Sequence, residues 1–156
     1  MQPLPQSPTD LVLPAPPAPE SDAPPEVGQL DGFFTTAFWI GWVGVAGGLA
    51  AVWYSSRILG FATWWLGPES QPRFILVSLL PFVAPLALAV MALLHRPWLP
   101  YLGILGGVIT ALVAVGDIGG PAGYWVAELV IAGGGLAVSL AAFAGMYRAG
   151  AAAEAG

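Results

Sequence analysis

Gly116 to Glu128 reads GDIGGPAGYWVAE, a short polar turn that carries two acids, Asp117 and Glu128, between two long apolar runs. One run, Leu99–Gly116, ends at Asp117; the other opens at Tyr124 and Trp125 and continues to Tyr147. A helix rises ~1.5 Å per residue and crosses a ~30 Å hydrocarbon layer in about 20 residues, so runs of this length can span a bilayer. Two further runs have the same character, Phe33–Tyr54 and Phe74–Leu94. Hydrophobic residues make up 57% of the 156 residues and charged ones only 8%, with a mean hydropathy of +0.77. A soluble domain of this size cannot bury that much apolar surface. The pattern predicts an all-α integral membrane bundle of four transmembrane helices, spanning about 33–54, 74–94, 99–116 and 124–147.

Residues 1–32, rich in proline with scattered Asp and Glu, read as a disordered acidic tail. They contain no basic n-region or apolar h-region of a signal peptide. Residues 149–156 read as a short flexible C-terminal tail, leaving 33–148 as the transmembrane domain. Between the first two spans, Ile58, Phe61, Ala62, Trp65 and Leu66 follow helical spacing. A short interfacial helix over 58–66 is expected there, with Trp64 and Trp65 at headgroup depth. Trp98, Tyr124 and Trp125 sit at other span ends and are expected to anchor at the interface in the same way. Pro81 and Pro85 predict a bend in the second span, where Ser78 could satisfy a freed backbone group.

Small residues recur at four-residue intervals: Gly44 and Gly48, Gly103 and Gly107, and Gly133, Ala137, Ala141 and Gly145. Such stripes let helix backbones approach closely, so these residues are expected to pack helices.

Chemistry is narrowly bounded. There is no Cys and no Lys, and His95 is the one histidine. Thiolate chemistry, a Cys-based zinc site, a lysine Schiff base and bis-histidine haem are therefore excluded. No P-loop, HExxH or GxSxG motif is present. A Ser/His/acid grouping would have to use His95, which a four-span topology puts across the membrane from Asp117 and Glu128. No catalytic residue, metal site or cofactor is expected. The net charge of −5 leaves no basic surface for nucleic acid.

An acid near membrane depth is costly and usually has a partner. In a four-span chain Arg57 and Arg73 share a side with Asp117 and Glu128, so these four are expected to form an ion-pair cluster or a contact to a partner. Arg57 and Arg73 face Arg96 and Arg148 across the membrane, which ties the positive-inside count. The missing export signal and His95 favour cytoplasmic termini. Ala, Gly and Arg enrichment without Lys suits a bacterial inner (cytoplasmic) membrane protein. The expected role is a non-catalytic structural or accessory subunit of a larger bacterial membrane complex, touching lipid and other membrane subunits through its small-residue faces. The alternative is a small homo-oligomeric proton- or cation-coupled transporter or channel using Glu128 and Asp117.

Overall fold

A computed structural model describes residues 26–120 and 123–147; the remainder of both tails, with Arg148, lies outside the described residues. Among the described residues four helices follow one another: α1 (Gly32–Leu59), α2 (Ile75–Leu93), α3 (Leu99–Val115) and α4 (Tyr124–Ala142). A single 3-10 turn, Phe143–Gly145, closes the last one. The fold is all-α, and among the described residues three helices are long and apolar enough to cross a membrane: Gly32–Leu59, Ile75–Leu93 and Tyr124–Gly145. The 17-residue α3 is shorter, reaching about 26 Å. Each helix packs on its chain neighbour, and α4 returns to α1 to close the ring.

One spacing rule builds the interior. On α1 the buried residues are Thr35, Phe38, Trp42, Val45, Leu49, Val52 and Ser56, alternately three and four apart. Glu128, Ala132, Gly135, Ser139 and Ala142 repeat that rhythm on α4. A 3.5-residue repeat is the register of helices packed at shallow crossing angles. Lipid offers apolar side chains no reason to leave it, so close packing must hold such helices together. Glycine permits it here: a Cβ on Gly106 would collide with Leu88, and one on Gly107 with Leu136.

The two ends of the bundle are built differently. At one, the N- and C-terminal segments meet the α2–α3 connection. Leu30 and Met146 form an antiparallel bridge, and the backbone N–H of Trp98 donates to Gly28 at 2.8 Å. Asp31 caps α1 by accepting from the N–H of Phe34 at 2.9 Å, the role that short acids fill best. Residues 26–31, assigned to the tail on composition, therefore dock on the bundle; Leu30 is buried.

At the other end the structure corrects the expected interfacial helix over 58–66. α1 runs on through Ile58 and Leu59 and stops at Gly60, whose φ of 70° is left-handed, a common helix stop. Residues 61–63 are irregular and 64–66 form a turn. Trp65 and Leu66 are fully buried, so Trp65 does not anchor at an interface. The helical spacing runs across a helix stop; beyond Gly60, Trp65 and Leu66 fold inward as part of a loop while Phe61 stays exposed.

α2 passes through Pro81 and Pro85 without interruption, with both prolines buried. Ser78 does not repair its own helix; its hydroxyl donates to the Trp65 carbonyl at 3.2 Å.

Candidate functional site

The Gly60–Phe74 loop covers the end of the bundle where α3 turns into α4, and the two acids lie under it. Trp64 makes two bonds: its backbone N–H donates to Asp117 Oδ1 at 2.7 Å, and its indole N–H donates to the Val113 carbonyl at 2.8 Å. Trp65 donates its indole N–H to Glu128 Oε1 at 2.9 Å. The loop's own fold is fixed by the Thr63 carbonyl, which accepts from Gly67 at 2.9 Å, and the Leu66 carbonyl, which accepts from the N–H of Arg73 at 3.1 Å.

Glu128 is completely buried and Asp117 is 6% exposed. The two carboxyl groups lie within hydrogen-bonding reach of each other. Each has one oxygen on a tryptophan N–H, while Asp117 Oδ2 and Glu128 Oε2 have no hydrogen-bond partner among the described residues. The hydroxyls of Thr63 and Tyr124 are also buried and unpartnered there. Tyr124 lies one turn before Glu128 and packs edge-on against Phe61. Burial pushes the Asp117 carboxyl above the ordinary carboxylate value, opposed by the bond from Trp64.

Of the four residues expected to cluster, the structure brings Asp117 and Glu128 within reach of each other. Arg57 stands beside the same loop, with its guanidinium donating to the Leu66 carbonyl at 3.4 Å. Arg73 closes the loop through its backbone, and its side chain packs over Gly67. Neither arginine is a hydrogen-bond partner of either acid among the described residues. Among the described residues no three His, Asp or Glu side chains converge as a metal site.

The small residues divide into two sets. Gly103 faces Ser139 and Phe38, Gly107 faces Leu136, Gly48 faces Ile131, and Gly145 faces Phe34, each too closely for a Cβ without movement. Gly44 and Gly133 are different: a Cβ there would meet nothing within 4 Å. Ala137 and Ala141 are exposed on the same outer side of α4. Of the aromatic span ends, Trp98 is half exposed, Trp64 is partly exposed but bonded inward, and Tyr124 and Trp125 are half-buried.

Sequence reasoning missed Trp65 as the partner of Glu128, 63 residues away; nothing local encodes that pairing. It did hold a signal for the burial of Glu128. Glu128, Ala132, Gly135, Ser139 and Ala142 form a 3–4 repeat of small and polar residues beside the strict four-residue stripe.

No protein-family model matches the chain, and no curated protein and no solved structure matches it.

Proposed function

We propose that this multi-spanning membrane protein is a non-catalytic structural or accessory subunit of a larger bacterial membrane complex. The carrying observation is the unfilled outer face where α1 meets α4. A shallow groove of about 230 Å³ is lined there by Gly41, Gly44, Val45, Ile131, Gly134 and Val138. Cβ atoms added at Gly44, Gly47, Gly133 or Gly134 would meet nothing within 4 Å. The chain's own helices pack through Gly41, Gly48, Gly103, Gly106, Gly107 and Gly135. Interior glycines serve this fold; the outer set suits the close approach of another helix. A non-catalytic role is supported by the separation of His95, in the α2–α3 connection, from the acids at the opposite end. A bacterial inner membrane with cytoplasmic termini is the setting favoured by composition and by His95.

The test is isolation of the tagged chain from its own membranes in mild detergent. Unlike chains in fixed stoichiometry are expected with the wild type and not with Gly134→Leu, whose own melting temperature stays unchanged. Equal recovery with both proteins would refute use of this face.

One observation favours a second reading. A buried carboxyl pair suits a small homo-oligomeric transporter of protons or cations using Glu128 and Asp117. That reading requires a homo-oligomer free of unlike chains and a flux lost in Glu128→Gln with assembly intact.

A further inference from the structure

Two buried carboxyls within hydrogen-bonding reach, each with one oxygen on a fixed N–H donor and the other facing no donor, pose a problem of charge. Ionised together they repel in a medium that screens poorly. No arginine is bonded to either among the described residues. A single proton between Asp117 Oδ2 and Glu128 Oε2 gives both orphaned oxygens a partner and lowers the charge of the pair from two to one. We propose that Asp117 and Glu128 form one buried proton-binding site whose shared proton latches the Gly60–Phe74 loop onto the end of the bundle.

The latch follows from connectivity. The oxygens that do not share the proton hold the loop through Trp64 and Trp65. When the proton leaves to water, the two carboxylates repel, and the acids that hold adjacent loop residues are driven apart. Thr63, 2% exposed, is the neighbour of Trp64, and Tyr124 precedes Glu128 by one turn. Both hydroxyls are buried without a hydrogen-bond partner among the described residues. The other charged groups on elements packed here are Arg57 at the end of α1, held on Leu66, and Arg73 and Glu69 in the loop; α2 contributes the neutral Ser78. Burial also holds Asp117 above the ordinary carboxylate value. The sign is therefore fixed: a group that binds its proton more tightly in the closed form favours closure at low pH, and that contribution disappears as pH rises through the closed-form value. The latch works alike in a subunit and in a transporter.

The chain has no Cys, so Ser70→Cys, in the exposed part of the loop, supplies a unique site for a nitroxide label. Label mobility is followed from about pH 5 to about pH 10 in detergent, a range covering the raised carboxylate. The expected result is low mobility at acid pH and a one-proton transition to high mobility, the loop equilibrium shifting about tenfold per pH unit above its midpoint. Infrared difference spectra should lose a protonated-carboxyl stretch at the same midpoint. Glu128→Gln places an amide N–H where the proton sat and should keep the loop immobile throughout; Asp117→Asn is the second variant expected to remove the transition. Wild-type mobility that stays flat, or a transition without the carboxyl band, overturns the proposal without recourse to either variant. A transition that persists unchanged in a folded variant overturns it as well.

Discussion

Replacing Trp65 with Phe isolates the bond that ties the loop to α4. The substitution keeps an aromatic ring among Val52, Leu66 and Val113, with which Trp65 is buried, and removes the N–H that reaches Glu128 at 2.9 Å. Glu128 is then left completely buried with neither oxygen on an indole. Losing a hydrogen bond to a buried carboxyl costs about 1.5–3 kcal/mol, and the smaller ring adds roughly 1 kcal/mol of lost packing. For a chain of this length each kcal/mol moves the melting temperature by about 2–4 °C, so a fall of roughly 5–16 °C is expected. The assay is thermal unfolding in mild detergent, followed by near-ultraviolet circular dichroism. Trp64→Phe is the internal comparison: it loses a bond to the Val113 carbonyl from a partly exposed side chain, a neutral bond worth about 0.5–1.5 kcal/mol. A double-mutant cycle completes the argument, because Trp65→Phe should cost far less in a Glu128→Met background, where the acceptor is already gone. Equal falls for the two tryptophan variants, or an undiminished cost in the Glu128→Met background, would show that packing and not this bond holds the loop.

Glu128→Gln should shift thermal stability or complex yield more than Glu69→Gln, since Glu128 is fully buried while Glu69 is exposed in the loop; equal values for both would refute a special role for the interior acid. Gly103→Ala, whose Cβ would meet Ser139 and Phe38, should destabilise by about 1–3 kcal/mol through overpacking. Gly133→Ala, with open space around it, should be neutral or stabilising by about 0.5–1 kcal/mol through helix propensity, and melting temperatures in detergent separate the two. Asp117→Asn should flatten the pH dependence of stability above the ordinary carboxylate range, because the wild-type contribution is present at low pH and lost as pH rises.

The helices were legible because their signal is local: long uncharged runs, aromatic ends, and Gly or Pro punctuation. Their ends were less so. Ile58 and Leu59 continue α1, and the helical spacing that groups them with Trp65 and Leu66 crosses Gly60, where the backbone turns left-handed. Spacing reports which residues would share a face if the helix continued; it cannot report that it stops. The site was half legible. That Asp117 and Glu128 share one end follows from counting spans, whereas their tryptophan partners come from a loop 53–63 residues distant in the chain and are set by tertiary packing alone.

The four-residue stripe on α4 carries the more general lesson. Gly133, Ala137 and Ala141 stand outward, while the interior uses Gly135, Ser139 and Ala142, on a 3–4 repeat. Both sets are small, so composition alone cannot separate them; the repeat can. A strict four-residue step turns about 40° per repeat around a helix of 3.6 residues per turn and drifts off any fixed line, whereas alternating threes and fours stays on a shallow-angle neighbour. On α4 the 3–4 set, which includes Glu128, meets α1 and α3, and the four-step set is left for whatever crosses the outer face more steeply. Such a crossing is the geometry of close glycine-mediated contacts between membrane helices. The acid pair therefore belongs to the interior that builds this chain, and the outer stripe to its surroundings. Changes at Glu128 should act first on the fold and the loop, and changes at Gly133 or Gly134 on association.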